Sequence, residues 1–166
     1  MPVGVPLPGR GRVGLVIPPS GAALPPSFPP SLRATAGVAD RSWRATIDAL
    51  LAVGVRSGVE PSAFGSLLWQ HLTGLAYLSP HSDLDVLWPI RKGLDVLSLV
   101  FSIAAVQRNA PLRIDGEVIF PDGSAVNWRE LWNVRCASGQ GVVLAKTMEG
   151  VQLLDMASLP GIGQPA

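Results

Sequence analysis

The chain has 166 residues, 48% of them hydrophobic and 15% charged, with a formal net charge of +1. That length suits one domain with at most a small appendage, and the apolar fraction is enough to offset the ordering entropy that leaves polar chains disordered. A net charge so near zero argues against a nucleic-acid coat or a membrane-surface protein, so any phosphate the chain binds must be met by local groups.

Cys136 is the single cysteine, which excludes an internal disulfide and a CxxC zinc site and suits a reducing cytoplasm. Met1 is followed by Pro2 and not by a basic, then apolar, leader. The longest apolar stretch, Leu94 to Val106, is interrupted by Asp95, Ser98 and Ser102 and is shorter than the ~20 residues that cross a bilayer. Neither secretion nor membrane insertion is expected.

Nine of the 16 prolines precede residue 31, which rules out a long helix or central strand there. Short extended pieces are expected at Val3 to Leu7 and Arg12 to Ile17, separated by the turn-like PGRG. PPSGAALPPSFPPS reads as polyproline-like coil. From Asp40, a capping residue, Trp43, Ile47, Leu50 and Leu51 recur at helical spacing, with Gly54 and Gly58 as stops. Ser62 to Phe64 reads as extended, Leu67 to Leu72 as a short helix closed by Gly74, and Leu84 to Leu87 as a buried strand. Leu94 to Ala105 is apolar nearly all round, as in a helix packed deep against a sheet. Ile114 to Phe120 is a strand turning at Pro121-Asp122-Gly123, and Trp128 to Trp132 a short helix. Val142 to Ala145 and Val151 to Leu154 form a hairpin around Met148-Glu149-Gly150. The fold class is mixed α/β, a small mixed sheet flanked by helices, without internal repeats.

Ser82-Asp83-Leu84-Asp85 carries the chemistry. Residues two apart on a strand share a face, so Asp83 and Asp85 project together while Leu84 and Val86 face the other way. Two such carboxylates repel and resist burial without a proton, an arginine or a metal between them. Mg²⁺ (or Mn²⁺) suits this role, since it prefers oxygen ligands and is commonly held by one or two carboxylates with phosphates completing the shell. Asp115 and Glu117 alternate in the same way in LRIDGEVIF, and a neighbouring strand would supply a third carboxylate. Asp115 is the preferred ligand and Glu117 the reserve. Glu117 is expected nearer solvent because it is closer to the turn, and Gly116 is a candidate bulge. Gly65-Ser66 ahead of a helix offers close backbone approach and donors to a phosphate, and Lys146 offers a cation.

Taken singly, these features have plain structural readings: a strand end or helix cap for DxD, a cap and turn for Gly-Ser, and a sheet-edge gatekeeper for Lys146. His71 and His81 have no neighbours at metal-ligand spacing and receive no role. The tryptophans are scattered across elements and read as core, not as a base-stacking platform.

Gly65-Ser66, a helix, then Ser82-Asp83-Leu84-Asp85 resembles the signature of the polymerase β-like nucleotidyltransferase superfamily, in which the two aspartates hold catalytic metals. The longer strings FGSLLWQHLTGLAYLSPHSDLDVLW, DGEVIFPDGSAVNWREL and VLAKTMEGVQLL resemble the malonate decarboxylase holo-acyl-carrier-protein synthase family, also called phosphoribosyl-dephospho-CoA transferase. The likeness runs from about Val3 to Leu154 and is specific over residues 64–154.

The resemblance implies transfer of 2'-(5''-triphosphoribosyl)-3'-dephospho-CoA to a serine of the apo acyl-carrier subunit of malonate decarboxylase, with release of pyrophosphate. Together with the reading of the residues above, this gives a cytoplasmic enzyme in which Asp83 and Asp85 hold metal with Asp115 as the third carboxylate, while Gly65 and Ser66, assisted by Lys146, hold the triphosphate; neither nucleic acid nor membrane is expected as a partner. Members of the family generally extend further upstream, so the chain reads as N-terminally short. Residues 1–39 are then the remnant of a small subdomain, 40–158 the nucleotidyltransferase-like domain, and 159–166 a tail. A nucleotidyltransferase with a different acceptor and a non-catalytic carrier-binding module are the rival readings, separated by whether nucleotide binding depends on metal.

Overall fold

The computed structural model of the chain describes residues 2–6, 12–16, 29–137 and 140–162, with side chains from residue 29 onward. The expected turn at 8–11, most of the expected proline-rich coil, and the last four residues of the tail lie outside the described residues. The two expected extended pieces are strands β1 (Pro2–Pro6) and β2 (Arg12–Val16), paired antiparallel with Val3 opposite Leu15.

The main body is a six-stranded mixed sheet in the order β3-β4-β5-β6-β7-β8. Its strands are β3 (Ser62–Ala63), β4 (Leu84–Pro89), β5 (Ile114–Ile119), β6 (Ala125–Asn127), β7 (Val142–Lys146) and β8 (Val151–Asp155). Only β4 and β5 run parallel; the other neighbours are antiparallel. A parallel pair needs a crossover, supplied here by helix α4 (Val96–Gln107). The remaining helices are α1 (Leu32–Thr35), α2 (Arg44–Ser57), α3 (Gly65–Thr73) and α5 (Trp128–Ala137).

Alternation of apolar and polar residues decides which face of the sheet is buried. Leu84, Val86 and Trp88 of β4, Ile114 and Val118 of β5, Val126 of β6, and Val143 and Ala145 of β7 all turn inward. They pack with Ile47, Leu50 and Val53 of α2, Leu99 and Ile103 of α4, and Leu131 of α5 in one continuous core. Each fully buried Leu, Ile or Val contributes about 1.5–3 kcal/mol of transfer free energy. The opposite face carries Asp85, Leu87, Asp115, Glu117 and Ile119, all half-buried.

Asp40 caps a single 3₁₀ turn, Arg41–Trp43, by accepting from Ser42 N at 2.8 Å; α2 follows directly. Gly58, with φ of 65°, ends α2, whereas the expected stop at Gly54 lies inside the helix. A Cβ at Gly54 would stand 2.6 Å from the Val59 carbonyl, so this glycine serves close packing instead. Helix α4 is buried on one face only, through Val96, Leu99, Val100, Ile103 and Ala104. Its apolar outer face is partly open: Phe101 is 47% exposed and meets Trp132 edge-on. Trp43, Trp88 and Trp128 are core residues as expected, while Trp69 and Trp132 are half-buried.

Residues N-terminal to position 40 also join this core. Leu32 and Thr35 are fully buried, Leu32 N donates to Pro61 O at 2.8 Å, and Ala63 N donates to Pro30 O at 3.1 Å, which covers the outer edge of β3. Leu159 and Ile162 close the core from the other terminus.

Candidate active site

The register of β4 and β5 sets Asp85 directly beside Asp115, and Leu87 beside Glu117. That register runs unbroken from Leu84 opposite Ile114 to Pro89 opposite Ile119, so Gly116 is not a bulge. Gly116 instead permits close approach. Its φ is 138°, and a Cβ there would stand 1.8 Å from the Val86 carbonyl. The two acids therefore meet on the open face because neighbouring parallel strands, each reading apolar-acid-small-or-apolar, keep step.

Their environments differ. Asp115 accepts from Asn127 Nδ2 at 2.8 Å, from its neighbour Gly116 N at 2.8 Å and from Arg113 Nη2 at 3.2 Å. Burial alone would raise its carboxyl, but those donors and the Arg113 and Arg129 charges outweigh burial and hold it below the ordinary range. The Asp85 carboxylate accepts no hydrogen bond among the described residues. Burial first, then the nearby Asp115 and Asp83 charges, push its carboxyl up from 3.8 to about 6, with Arg113 opposing. Asp83, just before β4, lies 3.7 Å from Arg113 Nη1, so this guanidinium bridges Asp83 and Asp115.

Helix α3 begins against Asp85. Gly65 has φ of 58°, and a Cβ on it would stand 2.0 Å from Asp85 Oδ2, so the close approach predicted for this glycine is made to the protein's own carboxylate. Phe64 N donates to the Asp85 carbonyl at 3.0 Å and locks helix to strand. Ser66 stands one residue into α3 and makes no side-chain hydrogen bond among the described residues.

Lys146 does not lie at a sheet edge: β7 runs between β6 and β8. It forms an ion pair with Glu117, reaching past β6, where its register partner is the small Ala125. Glu117 is accordingly no more open than Asp115, with side chains 21% and 24% exposed, because Lys146 covers it. Asp85, Asp115, Glu117, Asn127 and Lys146 line one cleft of ≈510 Å³, with Phe64, Leu87 and Ile119 as its apolar wall. His71 lies on the surface of α3 and His81 is exposed in the loop before β4.

Among the described residues no three His, Cys, Asp or Glu side chains converge into a ready ligand cluster, since Asp83 and Asp115 are turned towards Arg113. The Asp85–Asp115 pair nevertheless fits a hard divalent cation. All donors are oxygens, and Asp85 is a half-buried carboxylate that forms no ion pair among the described residues.

Three contributors escape a reading of the sequence. Arg113, two residues before Asp115, was open to the same alternation that found the acids. Asn127 and Arg129 carried no such signal: Asn127 Oδ1 accepts from Arg129 N at 2.9 Å, which orients its amide towards Asp115. Arg129 Nη2 donates to Gln107 Oε1 at 2.5 Å and to the Ile114 carbonyl at 2.7 Å, tying α5 to α4 and β5 behind the acids.

Residues 31–157 match the family described as the phosphoribosyl-dephospho-CoA transferase MdcG C-terminal domain. The chain belongs to this family. It is 41% identical over 156 residues to a phosphoribosyl-dephospho-CoA transferase of Bradyrhizobium diazoefficiens, covering 92% of this chain and 66% of that protein. It is 35% identical over 164 residues to one of Xanthomonas euvesicatoria, covering 92% and 75%, and 36% identical over 160 residues to one of Xanthomonas axonopodis, covering 95% and 72%. The chain thus spans about two thirds to three quarters of these relatives. No solved structure gives a significant match. Every residue of the cleft falls inside the segment matching the phosphoribosyl-dephospho-CoA transferase family. Among the described residues no helix is long and apolar enough to cross a membrane.

Proposed function

We propose that the chain transfers the 2'-(5''-triphosphoribosyl)-3'-dephospho-CoA group to a serine of the apo acyl-carrier subunit of malonate decarboxylase. The observation that carries this reading is the pairing of Asp85 with Asp115 in register on parallel strands, with the N-terminus of α3 against Asp85, in a member of the phosphoribosyl-dephospho-CoA transferase family.

In the reaction the serine oxygen bonds to the phosphorus nearest the ribose, the bond from that phosphorus to the pyrophosphate group breaks, and the hydroxyl proton passes to one of the acids. Asp85 and Asp115, with Asp83 beside them, are the residues that would hold Mg²⁺ or Mn²⁺. When bound, the metal supplies positive charge to the phosphate oxygens in this step. The donors on Asp115 keep it ionised, and Arg113 holds Asp83 and Asp115 in place while limiting their mutual repulsion. The backbone at Gly65 and Ser66, at the start of a nine-residue helix, offers N–H donors to the triphosphate. Lys146, already at the cleft wall, exchanges part of its pairing with Glu117 for phosphate oxygen. The single exposed Cys136 suits a cytoplasmic setting.

The decisive experiment incubates the protein with the triphosphoribosyl-dephospho-CoA precursor, Mg²⁺ and the apo carrier, and reads the intact mass of the carrier. A mass gain equal to the phosphoribosyl-dephospho-CoA group on one serine is expected. An unmodified carrier, with pyrophosphate released only when another acceptor is present, would transfer the reading to a nucleotidyltransferase of different specificity.

A further inference from the structure

A second concave surface lies away from the acid cleft. Two adjoining depressions, of ≈400 and ≈320 Å³, share Gly58 and Arg91 and so form one groove. Arg33 of α1, Arg56 of α2, and Arg91 and Lys92 of the β4–α4 loop line it, all four exposed. None of the four forms an ion pair among the described residues, whereas Arg113 beside the acids and Lys146 in the cleft are both paired. The only carboxylates lining the groove are Glu60 and Asp95, and Asp95 is already engaged as the cap of α4, accepting from Ser98 N at 3.0 Å. Four cations from three separate elements thus face two carboxylates, in a chain whose total charge is only +1. Gly58 and Gly93 lie along the groove, and a Cβ on either would meet nothing within 4 Å, so there is room for an approaching backbone or side chain.

We propose that this groove docks an acidic face of the acceptor protein; the assignment of the acceptor rests on the transferase reading above. The cations are exposed and come from three separate elements, an arrangement that suits several carboxylates on a protein face. No aromatic residue lines the groove, so it has no platform on which a base would stack. Arg91 lies six residues beyond Asp85 and two beyond the end of β4, at most about 20 Å away at ~3.3 Å per residue. That falls within the footprint of a docked protein, about 800 Å² per partner. The groove orients the acceptor, and the acids receive its hydroxyl.

The test measures binding of the apo carrier subunit to wild type and to an R56E/R91E/K92E variant. Thermal unfolding is followed in parallel, as is the KM for the triphosphate substrate. Wild-type affinity should fall steeply with salt, the variant should bind about 30-fold or more weakly, and its KM for carrier should rise by a similar factor. The KM for the triphosphate substrate and the unfolding midpoint should stay unchanged. Equal carrier binding by both proteins overturns the docking assignment and leaves the transferase reading intact, as does a loss confined to the triphosphate KM. A wild type that binds no carrier overturns both. Salt-sensitive carrier binding, lost in the variant but without transfer by wild type, supports the docking surface and removes the catalytic reading.

Discussion

Replacing Asp85 with asparagine should separate stability from activity. The carboxyl is raised from 3.8 to about 6, chiefly by burial and then by Asp115 and Asp83, so the folded protein binds a proton more tightly than the unfolded chain does. The sign follows directly. Wild type suffers no penalty below about pH 4, loses stability as pH rises from there to about 6, and carries the full penalty above that. At ~1.4 kcal/mol per pH unit the ceiling is about 3 kcal/mol, and partial solvent access reduces it to ~1 kcal/mol. Asparagine keeps the shape and removes the charge. At pH 7 the variant should therefore be more stable by ~1 kcal/mol, an increase in Tm of about 2–4 °C for a chain of this size, and the advantage should vanish near pH 4. Urea unfolding followed by tryptophan fluorescence at pH 4, 5, 6 and 7 measures this, with transfer assayed alongside. Mg²⁺ should raise the midpoint of wild type and not that of the variant, and transfer by the variant should be abolished. A stability gain independent of pH, or near-wild-type transfer, would refute the reasoning.

Lys146→Ala should raise the KM for the triphosphate substrate about tenfold or more while leaving the Mg²⁺ concentration for half-maximal rate unchanged, because an ammonium meets phosphate and is not a metal ligand; substrate and Mg²⁺ titrations check this. Asp115→Asn should impair transfer far more than Glu117→Gln, whose effect should fall on the triphosphate KM through its loosened hold on Lys146. Steady-state kinetics at saturating Mg²⁺ decide the order, and an inactive Glu117→Gln beside an active Asp115→Asn would reverse it. Gly65→Ala places a Cβ 2.0 Å from Asp85 Oδ2 at a φ of 58°, so it should cost about 1–3 kcal/mol in urea unfolding and disturb the site. An unchanged unfolding midpoint would show that the start of α3 yields easily.

Local pattern was sufficient to place most elements and to set Asp85 and Asp115 each on the polar face of its strand, while the family was legible through the resemblance of longer strings. Period-2 alternation in LDVLWP and IDGEVI reports which side chains share a face, since that depends only on strand geometry. Gly74 and the turn at Pro121-Asp122-Gly123 likewise mark ends through local chemistry alone. What no local pattern carries is the distance between strands. Asp85 faces Asp115 and not Glu117 because β4 and β5 pair in parallel around α4, a register set by packing of Leu84, Val86, Ile114 and Val118 in the core. The same long-range geometry turned Gly65 towards Asp85, put Lys146 on Glu117 across β6, brought Arg113 between two acids, and aimed the Asn127 amide at Asp115. Pairwise alternation identifies a face. Only tertiary packing decides which charges meet on it, because the energy of burying a carboxylate depends on neighbours that are distant in the chain.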